Sequence, residues 1–363
     1  MSPLVDLIRA DIRREGAISL SRYMEMCLAH PQYGYYMTRD PLGLSGDFTT
    51  APEISQMFGE LIGIWLADTW IKMGAPAKVH LVELGPGRGT LMQDALRATG
   101  HVPGFHDAIS LHLVETSPVL RERQAVSLSR FLPVWHGSLE TIPADAPLLC
   151  LGNEFLDALP VDQLCWRQDG WQQIRVTLSD NTDEPFCFMC HPAPPDLIAE
   201  IPPTLLTPEP GERIEVSLIL NQYLKNLFLR LQKQQGSCLF IDYGYRHFAT
   251  GDSVQALYRH QPVSIFMTPG EADITAHVNF ENIKNHALSA GLTVHDVQTQ
   301  GEFLTAMGID HRLKALLASA TSAQAQDLRS AYHRLVSPEQ MGRLFKVIGV
   351  TSHPGMTMAG WAA

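Results

Sequence analysis

Long hydrophobic runs are missing from this chain, and so is any concentration of positive charge. The most apolar helical candidate, Ile62-Gly63-Ile64-Trp65-Leu66-Ala67, is bracketed by Glu60 and Asp68, well short of the ~20 apolar residues of a membrane-spanning helix. No membrane partner is expected. Lys and Arg number 27 against 38 Asp and Glu, for a formal net charge of −11 at pH 7. Phosphate binding draws on clustered basic residues, so the absence of a basic run or a basic-aromatic stripe disfavours nucleic acid. A basic protein or a small molecule suits the charge better.

Cysteine is sparse as well: six residues, at 27, 150, 165, 187, 190 and 238. Their scatter offers no disulfide framework and fits a reducing compartment. Cys187-Phe188-Met189-Cys190-His191 has the form of a c-type haem attachment, but that chemistry needs export. The N-terminus, Met1-Ser2-Pro3-Leu4-Val5-Asp6, is amphipathic with early acids and lacks the charged start and apolar core of a signal peptide. The cysteine pair therefore reads as part of an apolar strand, and with no second pair a zinc site is not expected. The chain reads as a mature cytoplasmic protein.

What is present is a glycine loop flanked by acids. The 363 residues, 45% hydrophobic, can bury a large α/β core. Lys78-Val79-His80-Leu81-Val82 has strand character, Thr90–Arg97 has helical spacing, and Gly85-Pro86-Gly87-Arg88-Gly89 joins them. Glycines let the backbone turn tightly and approach a ligand, and a helix start offers unpaired N–H groups. A dinucleotide site wants its third glycine at position 90, which is Thr90, so NAD is disfavoured. Glu83 would repel a pyrophosphate and suits a cofactor with a cationic end, such as the amino group of S-adenosylmethionine. The next strand, Ser110–Val114, ends in Glu115, placed to accept hydrogen bonds from ribose hydroxyls.

Further along, strands at 110–114, 133–136 and 148–152 alternate with helices, which implies a parallel sheet. Asp169-Gly170 between Gln163–Gln168 and Trp171–Val176 signals a hairpin, and the Pro-rich stretch after it makes 159–212 an insertion on the sheet. A helix over 213–235 leads to strands at 238–243, 292–294 and 344–350, for seven in all. Thr50-Ala51-Pro52-Glu53 has the form of a capping box opening one helix to about Met73, and Ser337-Pro338-Glu339-Gln340 of a second. The expected layout is an N-terminal helical, substrate-side extension (1–75), a cofactor-binding half (76–158), the insertion (159–212) and the second half of the same domain (213–363).

Six motifs carry a resemblance: Gly46-Asp47-Phe48-Thr49-Thr50-Ala51-Pro52-Glu53-Ile54-Ser55, Glu83–Met92, Glu115-Thr116-Ser117-Pro118, Asn153-Glu154-Phe155-Leu156-Asp157-Ala158-Leu159-Pro160, Ile241-Asp242-Tyr243-Gly244-Tyr245, and Ala272–Val278. In these the chain resembles the S-adenosylmethionine-dependent methyltransferase family that includes the mitochondrial complex I assembly factor, a protein-arginine methyltransferase, and its bacterial relatives. The resemblance implies a seven-stranded class I (Rossmann-like) methyltransferase fold with the last strand antiparallel, a helical N-terminal extension and an inserted hairpin region. It leaves the substrate open.

Methyl transfer from a sulfonium requires a nucleophile held in line and dry, and carboxylates do that for a guanidinium. Glu154, after the buried strand 148–152, and Asp157, one turn on if that turn is helical, are the first candidates for the acceptor. Asp47 in the Gly-Asp-Phe loop is the next, with Glu53 explained by its capping box. His277, in an apolar run, reads as structural. Glu83, Gly85, Gly87, Gly89, Glu115 and Asn153 are assigned to S-adenosylmethionine, and Ser138 and Leu139 to its adenine side by position. The leading reading is methylation of a protein arginine, with a homodimer possible. The alternatives are another acceptor, or a non-catalytic assembly chaperone that keeps the cofactor fold.

Overall fold

The strand Val79–Leu84 is buried at every position, a pattern that only a sheet covered on both faces allows. In the computed structural model, which describes residues 2–40, 43, 49–168, 170–181, 184–205 and 208–361, that strand is central. The strands of its sheet are β1 (Val79–Leu84), β2 (Ile109–Val114), β3 (Val134–His136), β4 (Leu148–Asn153), β5 (Gly236–Tyr245), β6 (Thr293–Thr299) and β7 (Phe345–Thr351). They lie in the order β6-β7-β5-β4-β1-β2-β3, with Val278–Asn279 an eighth, two-residue strand on the end of β5. β1 to β5 are parallel, while β7 runs antiparallel to both β5 and β6.

The residues group into two compact units. Thr49–Leu156, Leu224–Arg246 and Val278–Ala363 form the sheet unit, with helix Gln56–Lys72 against helix Thr90–Ala98 on one face. Their approach is close: a Cβ on Gly63 would stand 2.4 Å from the carbonyl oxygen of Ala95. Buried Glu60 accepts hydrogen bonds from Arg97 and Arg312, which ties helix Ile309–Leu317 to this pair.

The other unit comprises residues 1–48, 157–223 and 247–277. Its five-stranded sheet contains the expected hairpin, Asp162–Arg167 with Gly170–Leu178; Asp169 itself lies outside the described residues. The cysteine-bearing segment is the strand Phe186–Pro192, and its thiols are free. Helices Pro3–Glu15 and Leu20–Ala29 share this unit's core, where Tyr23 meets Phe186 and Phe266 edge to face. The N-terminal 75 residues are thus divided, because helix Gln56–Lys72 packs its apolar surface on the sheet core. Among the described residues no helix is long and apolar enough to cross a membrane.

Three expectations fail locally. The helix over 213–235 begins only at Leu218, because Arg213–Val216 pairs with Asp162–Cys165 as a strand and the Ser217 hydroxyl then accepts the Leu220 N–H. The helix after Thr50 is two helices, Ala51–Ile54 and Gln56–Lys72, split where extended Ser55 turns its hydroxyl to the Met57 N–H. Ser337–Gln340 is a turn in which the Ser337 hydroxyl bonds Glu339, and helix Met341–Leu344 follows without a side-chain cap.

A buried chain of polar groups crosses β1, β2 and β3 and has no local signature in sequence. His80 Nδ1 lies 2.9 Å from His112 Nε2, and His112 Nδ1 lies 2.9 Å from His136 Nε2. Asp145 meets His80 Nε2 at one end, and Thr141 meets His136 Nδ1 at the other. Burial, with the neighbouring His80 and His136, pushes the His112 imidazole down to about 4. An unfolded imidazole protonates near pH ~6.5, so between that value and about 4 the unfolded chain binds the extra proton. Stability should therefore fall as pH drops through this window. Denaturant midpoints at pH 7, 6 and 5 check it: His112→Gln, which cannot titrate, should lose part of the slope, and equal slopes would contradict the assignment.

Candidate active site

The chain order reverses between β1 and β4, since β2 and β3 continue on one side of β1 and β5 on the other side of β4. In open α/β sheets the crevice at the carboxyl ends of such strands is the binding place. Backbone bonds tie these ends together: Gly85 N–H to Val114 O, Glu115 N–H to His136 O, and Glu154 N–H to Ile241 O, at 3.0, 3.0 and 2.9 Å. The glycine loop leaves β1 here, Glu115 follows β2, Ser138 follows β3, and Asn153 with Glu154 closes β4.

All three loop glycines sit at positive φ: 60° at Gly85, 54° at Gly87 and 80° at Gly89. Gly85 also faces the ring of Phe155, where a Cβ would come within 2.9 Å of Cδ2. Helix Pro118–Ser127 holds the loop's carbonyls, since Gln124 Nε2 donates to Gly87 O at 2.7 Å and Ser127 Oγ to Arg88 O at 3.0 Å. On its other flank Glu53 accepts from the Thr90 hydroxyl and pairs with Arg88. This displaces the expected capping box, because the Thr50 side chain makes no cap bond and Glu53 is engaged with the loop.

Two buried acceptors at the crevice lack donors among the described residues. Glu83 is 3% exposed, and among the described residues its Oε2 meets no donor. Burial, reinforced by the nearby Glu115 carboxylate, pushes the Glu83 carboxyl up to about 8. Glu115 is also raised by burial, although Ser117 N–H and Gln124 Nε2 donate to its two oxygens at 2.8 and 3.1 Å. Across the reversal point, Asn153 Nδ2 donates to Glu154 Oε1, which turns Asn153 Oδ1 away, and that oxygen is a second buried acceptor without a donor among the described residues. Two orphaned acceptors beside raised acids fit a ligand that brings N–H donors and positive charge.

Glu154 is not in a helix. It sits in a bend at φ 50°, a left-handed conformation that costs a non-glycine residue about 1–3 kcal/mol. Its Oε1 accepts the N–H of Ala51 at 3.0 Å, so it caps helix Ala51–Ile54 rather than one of its own. Residues 155–160 form turns, and buried Asp242 holds the Phe155 and Leu156 N–H groups. The helical turn expected to pair Glu154 with Asp157 is therefore absent. Asp157 belongs to the other unit, where its carbonyl accepts the Ala276 N–H and its charge bears on Tyr36, whose hydroxyl donates to Asp273 at 2.7 Å. His277 lies in that unit as well, its N–H bonded to Ser253 Oγ. Asp47 lies outside the described residues. Leu139 is fully buried, and Arg230 fixes the turn after Ser138 by donating to the Leu139, Ile142 and Pro143 carbonyls. Sequence reasoning missed Gln124 and Asp242, which read locally as an ordinary helix residue and a strand residue.

Raising the pKa of a carboxyl stabilises its protonated form, so above the ordinary carboxylate range folding must hold a proton or bury a charge. For Glu83 the folded state binds the extra proton between about 4.5 and about 8, and stability declines as pH rises through that window. Glu83→Gln, which removes this demand, should melt higher than the parent at pH 7.5 and converge with it near pH 4.5. Scanning calorimetry of the ligand-free proteins checks this; a lower melting temperature at pH 7.5 would contradict it.

The family model described as "Putative S-adenosyl-L-methionine-dependent methyltransferase" matches residues 61–298. The mitochondrial protein arginine methyltransferase NDUFAF7 homolog of Drosophila melanogaster is 36% identical, covering 98% of this chain and 86% of that protein. The mitochondrial protein arginine methyltransferase NDUFAF7 of Homo sapiens is 32% identical, with 97% and 84% covered. A Burkholderia thailandensis protein crystallised with S-adenosyl-homocysteine superposes with a TM-score of 0.83 at 27% identity, covering 99% of this chain and 94% of that one. The glycine loop, the acids at the ends of β1 and β2 and the orphaned acceptors thus stand in a chain that belongs to the S-adenosylmethionine-dependent methyltransferase family, with S-adenosylmethionine as its cofactor.

Proposed function

We propose that this enzyme methylates a guanidinium nitrogen of an arginine in a protein, on a seven-stranded class I methyltransferase fold whose last strand is antiparallel. The observation that carries the reading is Glu154: a carboxylate on a strained residue, anchored at the end of β4 beside Asn153 and across the reversal point from the glycine loop. Strain of this kind persists where the surroundings over-determine it, and it clusters at working sites. The relatives' names point to arginine, and the net charge of −11 favours a basic protein acceptor. Absence of nucleic-acid and membrane partners, and a homodimer, belong to the same reading and rest on sequence pattern. The free cysteines support a reducing compartment, for which we offer the cytoplasm, although the relatives are named as mitochondrial.

Bound S-adenosylmethionine supplies a methyl group already activated by its positively charged sulfur. The residues at the crevice do the rest. Glu83 and Asn153 Oδ1 would receive the cofactor's amino group, the loop N–H groups its carboxylate, and Glu115 the ribose hydroxyls, with Ser138 and Leu139 on the adenine side. An arginine is protonated at neutral pH, so its nitrogen becomes a nucleophile only as the charge is held and a proton is lost. Glu154 would grip the guanidinium and take the proton that its nitrogen gives up as the methyl group is transferred; Asp157 and Asp47 are the other acids we propose for the acceptor, each in its own right.

Glu154→Gln keeps an oxygen for the Ala51 N–H and removes only the charge. S-adenosylmethionine affinity should stay within about threefold of the parent while methyl transfer falls by about a hundredfold or more. Calorimetry and methyl incorporation read the two effects, and loss of both together would place Glu154 in the cofactor pocket. Arginine methylation compared by mass spectrometry across proteomes with and without the gene tests the acceptor; no difference on arginine would sink that assignment.

A further inference from the structure

Helix Pro118–Ser127 buries two side chains, Leu120 and Gln124, one turn apart on its inner face. The first is ordinary packing. A fully buried glutamine is not, because an amide taken out of water costs ~1–3 kcal/mol unless its donors and acceptor are met. Gln124 is 0% exposed and meets three partners: Nε2 donates to Gly87 O at 2.7 Å and to Glu115 Oε2 at 3.1 Å, and Oε1 accepts from Trp135 Nε1 at 2.8 Å. The orientation of the amide is fixed by chemistry. A carbonyl and a carboxylate can only accept, and an indole N–H can only donate, so no flipped arrangement satisfies all three.

One side chain therefore spans the glycine loop, the acid after β2 and the strand β3. The same helix and its cap also supply Ser117 N–H to the Glu115 carboxylate and Ser127 Oγ to the Arg88 carbonyl, beside the backbone N–H of Thr116 on Glu115. Charges that bear on Glu115 are those of Glu83 and of Arg121, whose Nε donates to the Glu115 carbonyl at 2.8 Å. On the reading that the loop and Glu115 hold opposite ends of the cofactor, we infer that Gln124 is a positioning residue that sets the separation of these two subsites and keeps Glu115 ionised for the ribose. Its donated hydrogen bond favours the charged carboxylate against burial, which pushes the other way. Its bond to Gly87 fixes the peptide that precedes Arg88, at the bottom of the loop. Neither contact touches the acceptor.

Two substitutions test this in the full-length protein. Gln124→Met keeps the volume and removes all three hydrogen bonds. Its dissociation constant for S-adenosylmethionine should rise about tenfold or more, with the calorimetric stoichiometry unchanged and the KM for the acceptor unaltered at saturating cofactor. Gln124→Glu places a carboxylate against two acceptors at pH 8 and should bind more weakly still. Lowering the pH to 6 protonates the new acid and restores a donor, so its affinity should fall by much less than that of the parent, which binds less well on acidification as Glu83 takes up its proton. A Gln124→Met affinity within twofold of the parent, or a reduced stoichiometry at unchanged affinity, would overturn the proposal and leave Gln124 a folding residue. So would a Gln124→Glu protein whose pH trend matches the parent's. If the parent itself failed to bind S-adenosylmethionine, the cofactor assignment would fall instead, so the two failures are distinguishable.

Discussion

Two carboxyl groups buried together at the ends of neighbouring parallel strands, one of them with an oxygen that meets no donor among the described residues, set the terms for the rest of this structure. Glu83 on β1 and Glu115 after β2 are 3% and 7% exposed. Desolvation alone would disfavour either charge, and their proximity adds repulsion, which is why the Glu83 carboxyl rises to about 8. The ligand-free fold meets this by holding a proton on Glu83, a place that a cationic partner would take. On the proposed assignment the amino group of S-adenosylmethionine is that partner.

The surrounding architecture holds that arrangement rather than relaxing it. Parallel pairing of β1 with β2 and β4 fixes the strand ends in register, and the reversal of strand order opens the crevice beside them. Gln124 and Ser127 secure the glycine loop from one helix, and Glu53 secures it from helix Ala51–Ile54. The same short helix gives its Ala51 N–H to Glu154, so the loop and the proposed acceptor acid are linked through four residues. Movement of Glu53 would be felt at both.

Much of this was legible in the sequence where the chemistry is local. The glycine loop, the acids at 83 and 115 and the hairpin at 162–178 follow from strand patterns and turn residues that act within a few positions. The errors occurred where a side chain has a distant partner. Thr50–Glu53 has the form of a capping box, but Glu53 finds Thr90 and Arg88, and it is Glu154 that caps the helix, at the Ala51 N–H. Residues 213–216 look helical until they pair with 162–165. His80, His112 and His136 are separated by dozens of residues, and only the parallel register aligns them. Gln124 carries no local sign, since a glutamine in a helix is ordinarily solvated.

Titration of the protein with S-adenosylmethionine as a function of pH, in two buffers of different ionisation enthalpy, bears most directly on the claim that an uncompensated Glu83 recruits a cationic cofactor. In the free protein this carboxyl holds its proton up to about 8, and on the proposed assignment the cofactor's amino group pairs with the carboxylate. Binding near pH 6.5 should therefore release about one proton, and affinity should climb as pH rises from 6 to 7.5. An affinity flat across that range with no proton released would contradict the account, and so would a preference for NAD over S-adenosylmethionine.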